Sequence, residues 1–188
     1  VENTLTTARN QSGFLGDAST SALCIGGETP PSWATIANVE EWGGSTWTAG
    51  TAFPAPTQLG VGTGSVTDGL YYGTAPDNAE AFTYDGTTWT ASANLATGRN
   101  SGVRCGTGTS AALLASGSAP TALVLTEEFN RTANVITAAA WAAGDNMPES
   151  LGGNTGAGTL TAGLSMGGFT GTAYPGKAYE YNGTSWAA

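Results

Sequence analysis

Apolar residues in this chain come in short runs that end in glycine or a small polar residue. Ser21-Ala-Leu-Cys-Ile-Gly-Gly27, Asp68-Gly-Leu-Tyr-Tyr-Gly-Thr74, Ala111-Ala-Leu-Leu-Ala-Ser-Gly117 and Ala162-Gly-Leu-Ser-Met-Gly-Gly168 share one plan. Runs this short, bounded by turn formers, predict strands covered on both faces rather than helices. Anchored on Leu23, Leu70, Leu113 and Leu164, the copies are 47, 43 and 51 residues apart. A second pattern keeps phase with the first. An aromatic precedes a tryptophan at Trp42/Trp47, Tyr84/Trp89, Phe129/Trp141 and Tyr181/Trp186, with a spacing of five in units one, two and four.

Within unit one, Thr7–Leu15 reads as a first strand and Gly16–Ser19 as a turn. Thr20–Ile25 reads as a second strand, ended by Gly26-Gly27. Glu28–Trp33 reads as a loop because it holds Pro30-Pro31, which a central strand does not tolerate. Thr35–Trp42 and Ser45–Ala49 follow as third and fourth strands. Gly43-Gly44, Asp85-Gly86 and Asn182-Gly183 lie between the last two strands of their units. Such pairs suit a two-residue type I′ turn, which needs positive φ at both positions. Four hairpin-linked strands repeated every ~40–50 residues are what a propeller blade requires. The fold class is therefore all-β: a β-propeller of four repeats, each giving a four-stranded blade. One propeller domain spans 1–188, in units 1–52, 53–93, 94–146 and 147–188. Unit three departs most, because its last hairpin is lengthened by seven residues between Phe129 and Trp141.

Composition agrees and narrows the chemistry. With 29 glycines and only 10% charged residues, the chain cannot dress the wet faces of long helices. A net charge of −9 repels nucleic acid and anionic lipid, and no apolar run reaches the ~18 residues of a membrane span. Neither nucleic acid nor membrane insertion is expected. The two cysteines, Cys24 and Cys105, sit in strand-like segments and read as small buried apolar groups rather than a disulfide. There is no histidine, which removes the commonest general base and the usual zinc and copper ligands. The carboxylate pairs Glu40-Glu41 and Glu127-Glu128 lie on strands, so neighbouring side chains point to opposite faces and make poor acid/base pairs. Asp17 and Asp68 are not a calcium ligand set. Gly60-Val-Gly-Thr-Gly64 lacks the lysine and helix start of a phosphate loop and reads as crowded backbone near the propeller axis. The reading is of no enzyme, no metal and no cofactor.

At these residues the chain resembles kelch-type β-propeller repeats. The likeness rests on Gly26-Gly27 and Gly167-Gly168 after an apolar strand, on Tyr84 five residues before Trp89, and on the Arg-Asn openings at Arg9 and Arg99. It is similar in particular to the Gly/Thr-rich kelch-like arrays of bacteriophage tail-fibre and other virion structural proteins. The opening arginine precedes the anchor leucine by fourteen residues in units one and three; the same offset lands on Pro56 and Ser150 in the others. The resemblance implies a non-enzymatic structural or interaction module of a virion or extracellular appendage, assembled in a fibre or filament with copies of itself or with other appendage proteins. A second expectation is binding of a cell-surface glycan or receptor. The loops after the second strands carry Trp33, Asp77, Phe169 and Tyr174, and exposed aromatics among hydroxyls suit sugar stacking. Val135 and Ile136 in the unit-three insert are a candidate apolar contact with another subunit.

Overall fold

A computed structural model of the chain describes residues 4–131 and 140–188. Its described residues contain strands and no α-helix, arranged as four antiparallel four-stranded blades in a ring. Blade one consists of β1 (Gly13–Ala18), β2 (Ser21–Ile25), β5 (Val39–Trp42) and β6 (Trp47–Ala49); a small ribbon of β3 (Glu28–Thr29) and β4 (Ala34–Thr35) fills its central loop. Blade two holds β7 (Val61–Ser65), β8 (Asp68–Tyr72), β9 (Ala81–Tyr84) and β10 (Trp89–Ala91). Blade three holds β11 (Val103–Gly106), β12 (Ala111–Ala115), β13 (Thr126–Asn130) and β14 (Ala140–Ala143). Blade four holds β15 (Thr155–Thr159), β16 (Ala162–Met166), β17 (Ala178–Tyr181) and β18 (Trp186–Ala187). The first strands β1, β7, β11 and β15 line the axis. Gly62 shows why the inner strands are glycine-rich: a Cβ there would lie 2.7 Å from the Phe14 carbonyl oxygen.

The aromatic-to-tryptophan pattern sets the outer hairpin. Trp42 pairs with Trp47, Tyr84 with Trp89, Phe129 with Trp141 and Tyr181 with Trp186, directly across the ladder in all four blades. The turn type differs from the expectation. Positive φ falls on Gly44, Gly86 and Gly183 and not on the residue before each. Positive φ at one residue alone is not the type I′ pattern, which needs it at both, and the bends centre one residue later, on Gly44-Ser45, Gly86-Thr87 and Gly183-Thr184. Asp85 and Asn182 act through their side chains. Asp85 Oδ1 accepts the N–H groups of Thr87 and Thr88 at 2.8 and 2.7 Å, and Asn182 Oδ1 those of Thr184 and Ser185, both at 2.9 Å. Those backbone bonds hold the Asp85 carboxyl below the usual carboxylate range.

Two boundaries also move. The first strand begins at Gly13, not Thr7, because Thr7–Ser12 is a linker committed to other partners. The segment Thr35–Trp42 is split: Thr35 belongs to the ribbon and Val39 starts the blade strand.

Arg9 and Arg99 now have a role. The Arg99 guanidinium pairs with Glu127 at 2.6 Å and donates to the Leu114 carbonyl at 3.3 Å. Arg9 pairs with Glu40 and donates to the carbonyls of Gly26 and Asn38 at 3.1 and 2.9 Å. Each carboxylate also takes two linker N–H groups: Thr6 and Thr7 on Glu40, Ala96 and Thr97 on Glu127. Both arginine side chains are fully buried. A buried pair so supplied with further hydrogen bonds clamps the linker onto its own blade. The even blades lack the charges but not the positions. Val61 pairs with Tyr72 and Thr155 with Met166, whereas Gly13 pairs with Ile25 and Val103 with Ala115. The even hairpins are thus one residue shorter, and the strand register puts Thr57 and Leu151, not Pro56 and Ser150, where the arginines stand. Opposite them the glutamate is replaced by Phe82 and Tyr179. Arginine and glutamate disappear together, which avoids an unpaired buried charge.

Both cysteines are free and buried, as expected. The core lies between blades as three apolar clusters: one joins blades one and two, one joins two and three, and one joins three and four.

Candidate functional site

Each closed junction follows one recipe. The anchor-leucine face of a blade packs against the opposite face of the next blade, and an apolar linker residue seals it. Between blades two and three, Val61, Leu70, Tyr72 and Ala81 meet Ala112, Leu114 and Phe129, with Leu95 as the seal. The seals are Phe53, Leu95 and Met147, all buried. Each donates its backbone N–H to the preceding blade: Phe53 to Ala37, Leu95 to Ala79 and Met147 to Val124, at 2.9, 2.8 and 3.0 Å. Hydroxyls finish the junctions. Tyr84 donates to Glu41 at 3.0 Å, Tyr181 donates to Glu128, and Tyr72 donates to the Leu113 carbonyl at 3.2 Å. Burial, then the Glu41 hydrogen bond, pushes the Tyr84 phenol up, and the same two causes act on Tyr181, so both remain donors. Glu40 and Glu41 serve different neighbours, as side chains on opposite faces must.

The junction between blades four and one has the same positions and no core of this kind among the described residues. On blade four, Thr155, Met166 and Ala178 are exposed and Leu164 is half-buried, although their counterparts Val61, Tyr72, Ala81 and Leu70 are buried. Met166 is 41% exposed. On blade one, the counterpart of Leu95 is Leu5, which is half-buried, and Ala22 and Trp42 are half-buried too. Cys24 is fully buried beside Ser12 and Arg9 of its own linker; burial pushes its thiol up, while the Ser12 hydroxyl works against it. The bond expected between the Leu5 N–H and the Gly176 carbonyl is not among the described backbone hydrogen bonds. Trp47 is also half-exposed, whereas Trp89 and Trp186 are buried and donate to Thr51 and Thr126 next to the preceding blade. A belt of backbone bonds at one end of the axis tells the same story. Leu59 donates to Gln11 at 2.8 Å and Ser101 to Leu59 at 3.1 Å; Gly153, which shares their positive φ, adds no bond to this belt.

A second surface lies on the loops after the second strands. Phe169 and Tyr174 pack there at a 38° tilt, with ring centres 4.9 Å apart, and Tyr174 is 81% exposed. Trp33 is exposed at the tip of the β3–β4 ribbon, with no described ring contact to that pair. Asp77 is occupied: its Oδ1 accepts from Asn100 Nδ2 at 3.0 Å and ties the blade-two loop to the linker of blade three. Val135 and Ile136 lie outside the described residues.

The axis itself holds a cavity of about 210 Å³ lined by all four blades, including Phe14, Val61, Arg104 and Thr155. Arg104 crosses it to donate to the Phe14 carbonyl at 2.7 Å. No group of three or more Asp, Glu, Cys or His among the described residues is placed to hold a metal ion. Asp68 instead accepts the N–H of Thr109 at 3.3 Å, linking blades two and three. No described helix is long and apolar enough to cross a membrane.

These features define a four-bladed β-propeller with one unsealed junction. No protein-family model matches the chain, and no curated protein is recognisably similar to it. Sequence reasoning took Leu164 only as a repeat anchor and did not single out Met166, Ala178 or Leu5. Their signal was the repeat itself: unit four carries an anchor-leucine face like the others, and the repeat pattern does not say what packs on it.

Proposed function

We propose that this protein is a non-enzymatic structural and interaction module of a phage virion, a tail fibre or similar, or of an extracellular appendage, and that it acts by protein–protein assembly. The observation that carries the reading is the anchor-leucine face of blade four, built like three faces that are buried and itself uncovered. Exposed apolar side chains at positions that are core in the other blades mark an interaction surface. The kelch-like repeats and the likeness to phage fibre arrays support the same reading, as does a low-charge surface of hydroxyls. Electron microscopy of the native particle with an antibody against this chain tests it. Labelled fibres or appendages are the expected result; a soluble monomer with every particle unlabelled would contradict it.

A second reading, recognition of a host-surface glycan, is favoured by one observation, the exposed Phe169–Tyr174 ring pair. Aromatic faces beside neutral hydroxyls suit sugar rings. A glycan array with Trp33→Ala and Tyr174→Ala variants tests it. Loss of signal in both is expected, and binding that survives both changes would remove those residues from the site.

A further inference from the structure

We propose that the open face of blade four receives blade one of a second copy of this chain, head to tail. This rests on the assembly reading above and names its partner. The chain carries its own template for such a seam in the junction between blades two and three. Blade four offers Leu164 where blade two has Leu70, Met166 for Tyr72 and Ala178 for Ala81. Blade one offers Leu5 where the seal is Leu95, Ala22 for Ala112 and Trp42 for Phe129. The Gly176 carbonyl, which accepts no backbone bond among the described residues, stands where Ala79 accepts the seal's N–H, so the Leu5 N–H has a matching acceptor on the neighbouring copy.

The occupant follows from which surfaces are bare. The two halves of one junction are both uncovered on the same chain, and they are complementary to each other rather than each to itself. Pairing blade four with blade four would bring two anchor-leucine faces together, which none of the three internal junctions does. Head-to-tail contact between identical chains either closes a ring or extends a filament. Two copies would supply eight blades, within the range of about four to eight that propellers use. The seam lacks two hydrogen bonds found at the closed junctions. Met166 has no hydroxyl to replace the bond from Tyr72 to Leu113, and Glu180 finds Trp42 where Glu41 and Glu128 find tyrosines. A net charge of −9 on each copy also opposes approach, so added salt should favour association.

Sedimentation of two single variants and their mixture tests the proposal. Met166→Asp spoils the blade-four face and Leu5→Asp the blade-one face; both residues are partly exposed, and circular dichroism checks that each variant folds. The wild-type chain is expected to sediment as a dimer or larger species as concentration rises, and each variant alone as a monomer. Mixed in equal amounts, the variants are expected to form a heterodimer and nothing larger, because one intact seam remains between an intact blade four and an intact blade one. A mixture that stays monomeric overturns head-to-tail pairing. Incorporation of Met166→Asp into the native particle separates this failure from that of the assembly reading. A monomeric wild type whose Met166→Asp variant still loses incorporation overturns self-pairing alone. A monomeric wild type whose variant is incorporated normally overturns both.

Discussion

Leu70 and Leu164 hold the same place in the second strands of blades two and four, each paired across to a first-strand residue and to a third-strand residue. One is fully buried and the other half-exposed. The difference does not come from strand geometry or from the leucine itself. It comes from the packing: blade two's face is covered by blade three, and no such core joins blade four to blade one among the described residues. In a repeat protein each unit's stability depends on the unit that packs against it, so two like leucines can differ in burial.

The largest effect expected concerns the clamp that holds the seal of the closed junction. Glu127→Leu leaves the Arg99 guanidinium buried without its counter-charge and should cost about 3–5 kcal/mol in urea unfolding. Burial already lowers the Arg99 pKa, and Glu127 works against that. Replacing both partners, as Arg99→Leu with Glu127→Tyr, copies the Leu151 and Tyr179 arrangement of blade four and should recover most of the loss. A double variant no better than the single would show that the clamp is not a pairwise unit.

The next test divides the two leucines. Leu70→Ala should cost about 2–5 kcal/mol, the range for a fully buried leucine. Leu164→Ala in dilute monomer should cost under about 1 kcal/mol, since little is lost at a half-exposed site. Equal losses would mean that the two environments are alike in solution.

Gly86→Ala and Gly183→Ala probe the outer hairpins of the same two blades. Both glycines have positive φ, 98° and 93°, and an added methyl would crowd Thr67 or Thr161 to the same 3.2 Å. Each should cost about 1–2 kcal/mol. Matching thermal shifts would confine the difference between blades two and four to the junction face.

The acid limb reports the clamp of blade one at the open seam. Burial alone would raise the Glu40 pKa, but the N–H groups of Thr6 and Thr7 and the Arg9 charge outweigh it and hold the carboxyl below its usual range. The stability this supplies is therefore complete above the ordinary glutamate pKa of about 4.3 and is lost as pH falls through the lower folded value. Arg9→Leu should flatten that part of the pH–stability curve. An unchanged acid limb would remove the clamp from the account.

The blade plan was legible because it rests on local chemistry. The anchor leucines, the glycines after them and the aromatic opposite each tryptophan define strands and pairings without reference to anything distant. The turn was misread by one residue because Asp85 and Asn182 were read as turn-centre residues, whereas they stand before the bend and accept its N–H groups through their side chains. The arginine positions were misaligned in the even units because a hairpin one residue shorter shifts an offset counted from Leu70 or Leu164. Asp77 looked available because its bond to Asn100 joins loops 23 residues apart. The seam was invisible for a deeper reason. Leu164 and Met166 carry the hydrophobic pattern of buried residues, and exposure depends on what packs against them rather than on the pattern.

Oxidation of the two methionines by dilute peroxide, followed by mass spectrometry across a range of protein concentrations, tests the open seam most directly. Met147 seals the junction of blades three and four and is 3% exposed, while Met166 lies on the open face. The account predicts fast oxidation of Met166 in dilute protein, protection of Met166 as concentration rises, and slow oxidation of Met147 throughout. Slow oxidation of Met166 at every dilution would mean that the chain closes its own seam, and fast oxidation at every concentration would mean that a second copy does not cover it.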